Sequence, residues 1–366
     1  MILKKIRRRA VSTVVCAMLA ASPAIAVERV YYVAAEEVAW DYAPSGRDLM
    51  MDMAFDEDQQ VFVASSTEAI GRVYKKAIYR AYTDASFSTR LERGAEWRHL
   101  GLLGPILRAE VGDTMTVVFR NKASRPYTIH PHGVFYAKDS EGAPHADGTS
   151  GADKADDAVP PGATHTYRWK VPERAGPAES DPSSIIWPYH SHVDAPADTN
   201  SGLIGAIIIT GKGMARPDGR PADVDREFVT LFTVTDENMS WYLDENIAAY
   251  ADPSAVDVES DEFVESNLMH GINGFVYANM PGLDMKIGER VRWYAIALGT
   301  EVDLHTPHWH GNVGVWDGHR IDTIDLMPAT TRIIDMVPDD PGTWMFHCHV
   351  NDHIAAGMTA IYRIAE

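Results

Sequence analysis

Residues 347–358 read HCHVNDHIAAGM, placing a thiol, three imidazoles and a thioether within a single short segment. A thiolate, two imidazoles and a weak axial thioether are the ligand set of an electron-transfer copper. Cys348 and His353 would supply two of those ligands and Met358 the axial one. In a strand, His347 and His349 point to the face opposite Cys348. There they can hold a second metal centre, joined to the first through one residue's bonds. A zinc knuckle would ask for paired cysteines, and the chain has only Cys16 and Cys348.

Three more histidine clusters lie upstream: His130-Pro-His132, His190-Ser-His192 and His305-Thr-Pro-His308-Trp-His310. Residues i and i+2 of a strand share a face, so each H-x-H pair can present two imidazoles to one ion. Ten of the 15 histidines fall in these four patterns. A single H-x-H is weak evidence; four in this order, with one thiolate, indicate a copper protein.

The N-terminus reads as an export signal over residues 1–26. Lys4, Lys5 and Arg7 to Arg9 precede a short apolar run from Ala10 to Ala20, and Ala24-Ile25-Ala26 offers a small-residue cleavage site. The apolar run is too short to span a bilayer. A mature chain starting near Val27, periplasmic or secreted, is expected. It would keep Cys348 as its one cysteine, so no intrachain disulfide could form. The net charge is −19, and loss of the five basic signal residues would leave −24. Such a surface disfavours nucleic acid as a partner.

Short strand-like runs dominate: Thr114–Arg120, His165–Val171 and Leu203–Thr210, then Glu227–Val234, Val291–Ala297 and Met358–Ile364. Turn residues separate them, and long amphipathic helices are scarce. The Gly- and Pro-rich stretch 211–226 divides the chain. The expected fold is therefore all-β: two cupredoxin-like Greek-key β-sandwich domains, 27–212 and 213–366. The halves echo each other, with YHSHV beside FHCHV, but Ser191 stands where the second half has Cys348. Domain 1 is thus expected to lack a blue copper.

The stretches HLGLLGPILRAEVGD, YHSHVDAP, DENMSWYLDENI and GTEVDLHTPHWHG resemble ceruloplasmin and hephaestin, within the multicopper oxidases. The copper motifs also resemble those of bacterial two-domain laccases. The resemblance implies four coppers per chain. Type 1 copper takes His305, Cys348, His353 and Met358; type 2 takes His130 and His308. The type 3 pair takes His132, His190, His192, His310, His347 and His349. Glu141 is implied as a proton relay and Tyr136 as an extra electron donor. Because the six-domain relatives close a ring, two domains imply a homotrimer with clusters between chains.

The same resemblance implies dioxygen as acceptor and Fe(II) as reductant, held by Glu265, His270, Asp352 and, from an adjacent chain, Glu301. Carboxylates with one imidazole suit iron. A small aromatic reductant at an open copper edge, or cuprous ion, stays open as an alternative. The resemblance further implies a calcium loop formed by Lys138 (through its carbonyl), Asp153, Asp156 and Asp157; a solvated acidic loop is the competing reading.

Overall fold

The computed structural model describes residues 26–366. Most of the expected export signal, with Cys16, lies outside the described residues. The fold is mostly β, built from four sheets.

Two sheets come from the first half of the chain. One runs in the order Val73–Tyr82, Glu28–Asp41, Thr114–Asn121, Thr164–Lys170. The other runs Ile106–Glu110, Ile204–Thr210, Ser184–His190, His130–Pro131. In Thr114–Asn121, Met115, Val117 and Phe119 turn inward while Thr114, Thr116 and Arg120 face out, the alternation of a half-buried strand. They meet Leu107, Ile185, Ile207, Tyr167 and Trp169 in the first core.

The second half repeats the plan. Six strands run Leu268–Ile272, Arg226–Asp236, Val291–Ala297, Thr331–Met336, Gly314–Trp316, His319–Ile321. Facing them are Asp284–Lys286, Thr359–Ala365, Gly342–Cys348 and Pro307–Trp309. Their core holds Phe228, Trp293, Trp309, Phe346 and Tyr362. Equivalent strands pair alike. Glu28–Asp41 lies parallel to Thr114–Asn121, as Arg226–Asp236 does to Val291–Ala297. His130–Pro131 lies antiparallel to Ser184–His190, as Pro307–Trp309 does to Gly342–Cys348.

The run IGAIIIT is buried along its whole length because it packs on two sides. Ile207 and Ile209 enter the first core, while Ile204 and Ile208 meet Val229, Leu231, Tyr294 and Ile296 of the second half. Two-sided burial removes the need for polar alternation. Residues 211–225, between the last strand of the first half and the first of the second, contain only the isolated bridge Ala215–Pro221.

The sequence runs expected as strands fall within a residue or two of the observed ones, but the longest strand, Glu28–Asp41, was not among them. Its adjacent Glu36 and Glu37 break the alternation, and Glu36 is buried against Arg90 and Tyr82. One geometric expectation is corrected: the strand ends at Cys348, so His349 lies just past it and is exposed. No helix among the described residues is long and apolar enough to cross a membrane.

Candidate metal centre

Strand Gly342–Cys348 delivers Cys348 into the second core, and the short helix Asn351–Ala355 that follows carries His353 back over it. His305 arrives from the loop before Pro307–Trp309, fixed by paired backbone hydrogen bonds with Leu326. The Cys348 Sγ lies 3.9 Å from His305 Nδ1 and 3.7 Å from His353 Nδ1, and the two nitrogens are 3.2 Å apart. All three residues are buried, and so is Met358. The Met358 backbone accepts from Cys348 N–H and donates to the His353 carbonyl.

A carboxylate fixes this pocket from behind. Asp303, fully buried, sits 3.1 Å from His305 Nε2 and also accepts from Val234 N–H. Such a partner orients an imidazole and raises its basicity as a ligand. Gly299 makes room for it: a Cβ there would lie 1.9 Å from Asp303 Oδ2, at a φ of +132°. Burial alone would push the Cys348 thiol up. His305, His353 and the backbone N–H of Thr306 overcome this and hold it at about 6, so the thiolate is available near neutrality.

His347 points away from that pocket. Its Nδ1 lies 2.6 Å from the Cys348 carbonyl. As a donor there, it leaves Nε2 unprotonated. That nitrogen stands 3.2 Å from His308 Nδ1 and 3.0 Å from His310 Nε2. The ring of His349 lies 5.3 Å from that of His308. In the first half, His190 repeats the device, its Nδ1 2.8 Å from the Ser191 carbonyl and its Nε2 3.1 Å from His132 Nε2. The ring of His130 lies 5.5 Å from that of His132 and 5.0 Å from that of His192.

Burial, reinforced by crowding with other imidazoles, lowers His132 to about 4, His190 to about 3 and His347 to about 4. These rings are neutral at physiological pH, the state a metal ligand requires. Lone-pair nitrogens converging within a few ångströms repel unless a cation lies among them. The donor set therefore fits copper: soft thiolate and thioether in one pocket, imidazoles in the others.

Other expected residues gather less closely. Glu141 meets His130 through its backbone carbonyl, 2.7 Å from His130 Nδ1, while its carboxylate pairs with Lys138. The Tyr136 ring stands 6.2 Å from that of His130, and burial raises its hydroxyl pKa. His270 is buried with its ring 5.2 Å from His353. Glu265 and Asp352 are exposed on short helices, and Glu301 lies in an exposed turn. Among the described residues, Glu265, His270 and Asp352 do not form a group of three whose ligand atoms all lie within 4.8 Å.

The acids expected around calcium do not converge either. Asp153 is exposed, Asp157 pairs with Lys154, and Asp156 accepts from Gly142 N–H with its other oxygen buried and unpartnered. Asp147, unnoticed in the sequence, collects both Lys138 and Lys154. Asp303 was missed too, although its place two residues before His305 is a readable signal.

Multicopper oxidase family models match residues 100–214 and 225–366. The chain belongs to the multicopper oxidase family. It is 48% identical to human hephaestin over 341 residues, covering 92% of this chain and 29% of that protein. Mouse ferroxidase HEPHL1 is 47% identical (93% and 30% covered), and human ceruloplasmin 42% (95% and 32%). The chain thus spans about a third of the length of these relatives. Among solved structures, the multicopper oxidase mgLAC aligns with a TM-score of 0.59 at 19% identity, over 92% of this chain and 86% of that one. A second multicopper oxidase aligns with a TM-score of 0.56 at 19% identity, over 92% of this chain and 88% of that one. These likenesses show the cupredoxin-like fold, and membership of the family implies copper.

Proposed function

We propose that this multicopper oxidase takes single electrons from Fe(II) and passes them to dioxygen, forming water. The observation that carries the reading is the direct chain bond between His347 and Cys348. It joins a buried thiol–imidazole pocket to a set of converging imidazoles. His305, Cys348, His353 and Met358 would hold a type 1 copper. His130 and His308 would hold type 2, and His132, His190, His192, His310, His347 and His349 the type 3 pair. Bound there, copper would supply one-electron transfer and the capacity to reduce dioxygen.

The chain's own residues set the conditions. Asp303 holds the His305 ring, and the Cys348 and Ser191 carbonyls hold His347 and His190 with Nε2 free. Burial of Cys348 and Met358 excludes water from the entry site.

Iron as reductant is supported by two things. The relatives named above include one called a ferroxidase. His270, with its ring against His353 and Asp352 in the same short helix as His353, offers an imidazole and a carboxylate beside the entry ligand. Oxygen uptake driven by ferrous ion and by a phenol, in the parent and in Glu265→Ala/Asp352→Ala, tests this. Loss of iron turnover with phenol turnover retained supports a ferroxidase. Equal loss or equal retention of both overturns it.

We further propose a homotrimer built from domains 27–212 and 213–366 and exported by the N-terminal signal. Among the eight described histidines assigned to the type 2 and type 3 sites, every ring contact with one another is either within His130, His132, His190 and His192 or within His308, His310, His347 and His349. Type 2 and type 3 sites drawing on both sets would need a neighbouring chain. Light scattering that finds an active monomer would refute this arrangement.

A further inference from the structure

A cavity of about 530 Å³ opens on the first sandwich, far from any histidine cluster in the sequence. It lies between two edge strands, Val73–Tyr82 and Ile106–Glu110, under the segment 90–100 and Arg220. Its size is that of a small-molecule site. Its lining is unusual for so acidic a chain, which has 52 Asp and Glu against 33 Lys and Arg. Arg80, Arg90, Arg93, Arg98, Arg108 and Arg220 all line it, with one carboxylate, that of Glu92.

Three of the six have carboxylate partners. Arg90 pairs with Glu36, Arg108 with Glu227, and Arg220 with Glu96 and Asp218. Arg80, Arg93 and Arg98 have none among the described residues, and Arg93 is held instead by the Gly101 and Leu103 carbonyls. Arg108 is 8% exposed, and its Nη2 is buried without a hydrogen-bond partner; so is Arg80 Nε. Buried donors are ordinarily satisfied, and the lapse here falls on two arginines that line one cavity. Trp97 underlies Arg108 at 5.4 Å and Arg220 at 5.1 Å, fixing both guanidinium planes before any ligand arrives.

We propose that this cavity binds a small multivalent oxyanion, a phosphate or a polycarboxylate. Guanidinium forks match such oxygens in pairs, and an anion would answer both the unpaired donors and the mutual repulsion. That repulsion already shows: burial, then the charge of Arg80, lowers Arg93 to about 10. The site stands independently of the copper and iron assignments.

The test is calorimetric titration of the copper-loaded full protein with inorganic phosphate and, separately, with tricarballylate, a tricarboxylate lacking the hydroxyl that aids metal chelation. Chloride at matched ionic strength is the control. Saturable binding of either probe is expected; the tighter one identifies phosphoryl or carboxylate chemistry as preferred. Arg80→Gln/Arg98→Gln should weaken it by about tenfold or more, the loss of one charge-assisted hydrogen bond. Blue absorbance and oxygen uptake should not change. The exposed single variant Arg98→Gln, which disturbs no buried contact, should weaken it in the same direction. No saturable heat with either probe, as when a neighbouring chain's acids fill the cavity, overturns the proposal. Undiminished affinity in both variants also overturns it, since the anion would then sit at a metal or elsewhere.

Discussion

Ser191 and Cys348 occupy the same position in the two halves of the chain. Each follows a histidine whose Nδ1 lies against its carbonyl, at 2.8 Å and 2.6 Å. Each receives a backbone N–H from a threonine, Thr128 at 3.0 Å and Thr306 at 3.4 Å. The threonine hydroxyls accept in turn from His192 and His349 N–H. The surroundings then diverge. Around Cys348 stand His305 and His353; at the matching offsets around Ser191 stand Tyr127 and Pro196. The Ser191 hydroxyl donates instead to the buried Asp198.

Ser191→Cys is therefore expected to create no second blue copper. The thiol would lack both imidazoles and would weaken the bond to Asp198, costing about 1–2 kcal/mol of stability. An absorption spectrum showing doubled blue intensity per chain, or an unchanged denaturation midpoint, would contradict this.

Asp303 acts on the entry site only through His305, so Asp303→Asn separates orientation from ligation. The expected result is a blue-site copper affinity reduced by about 10–100-fold, with the other coppers retained. Chelator competition followed at the blue band measures it. Gly299→Ala should give a weaker copy of the effect, because its Cβ would collide with the Asp303 carboxylate. Unchanged affinity in Asp303→Asn would show that the carboxylate serves packing alone.

Much of the centre was legible because its ligands come as short local patterns, in which a strand's alternation or a following turn decides the geometry. The segment HCHVNDHIAAGM offers a thiol, three imidazoles and a thioether, and the structure brings Cys348 and His353 together with His305. The Asp303–His305 contact joins positions only two apart, so its signal is local, but a lone aspartate before a histidine has no periodicity to mark it out. Strand Glu28–Asp41 was hidden for a different reason. Glu36 is buried beside Arg90 and Lys122, residues distant in sequence, so its inward acid looked like a break in the pattern. The resemblance implies calcium for the acids of 138–157, with a solvated acidic loop as the competing reading; here Lys138 and Lys154 lie among those acids as counter-charge. The arginine cavity draws on four separate segments and has no local signature at all.

Acid sensitivity should trace in part to Glu37. Burial would raise its carboxyl pKa, but hydrogen bonds from Lys75, Ser124 and Tyr242 prevail and hold it at about 2. A depressed carboxyl contributes stability that is complete above its unfolded value and is lost as pH falls through the folded one. The window is thus from about pH 4.5 down to about pH 2. Glu37→Gln should be less stable than the parent at neutral pH, with the gap closing across that window. Denaturation midpoints on chelator-stripped protein would show it. A gap independent of pH would mean that the residue's charge contributes nothing.

The separation of the two histidine sets makes a sharper prediction about assembly. In a three-fold ring, each cluster would take His192 from one chain and His349 from the next. His192→Ala and His349→Ala homotrimers should each be inactive. In a trimer co-assembled from equal amounts of both, a given interface draws an intact first half with a chance of one half and an intact second half likewise. Activity should therefore return to about one quarter of the parent. Each intact cluster also keeps its own Cys348, which lies in the chain that supplies His349. Co-expressed variants assayed by oxygen uptake without selecting the mixed trimers provide the measurement; selection by two tags raises the expected value to about one third, since each mixed ring has one intact interface of three. If both histidine sets of a cluster came from one chain, no mixture could recover, because every chain would carry one defective half.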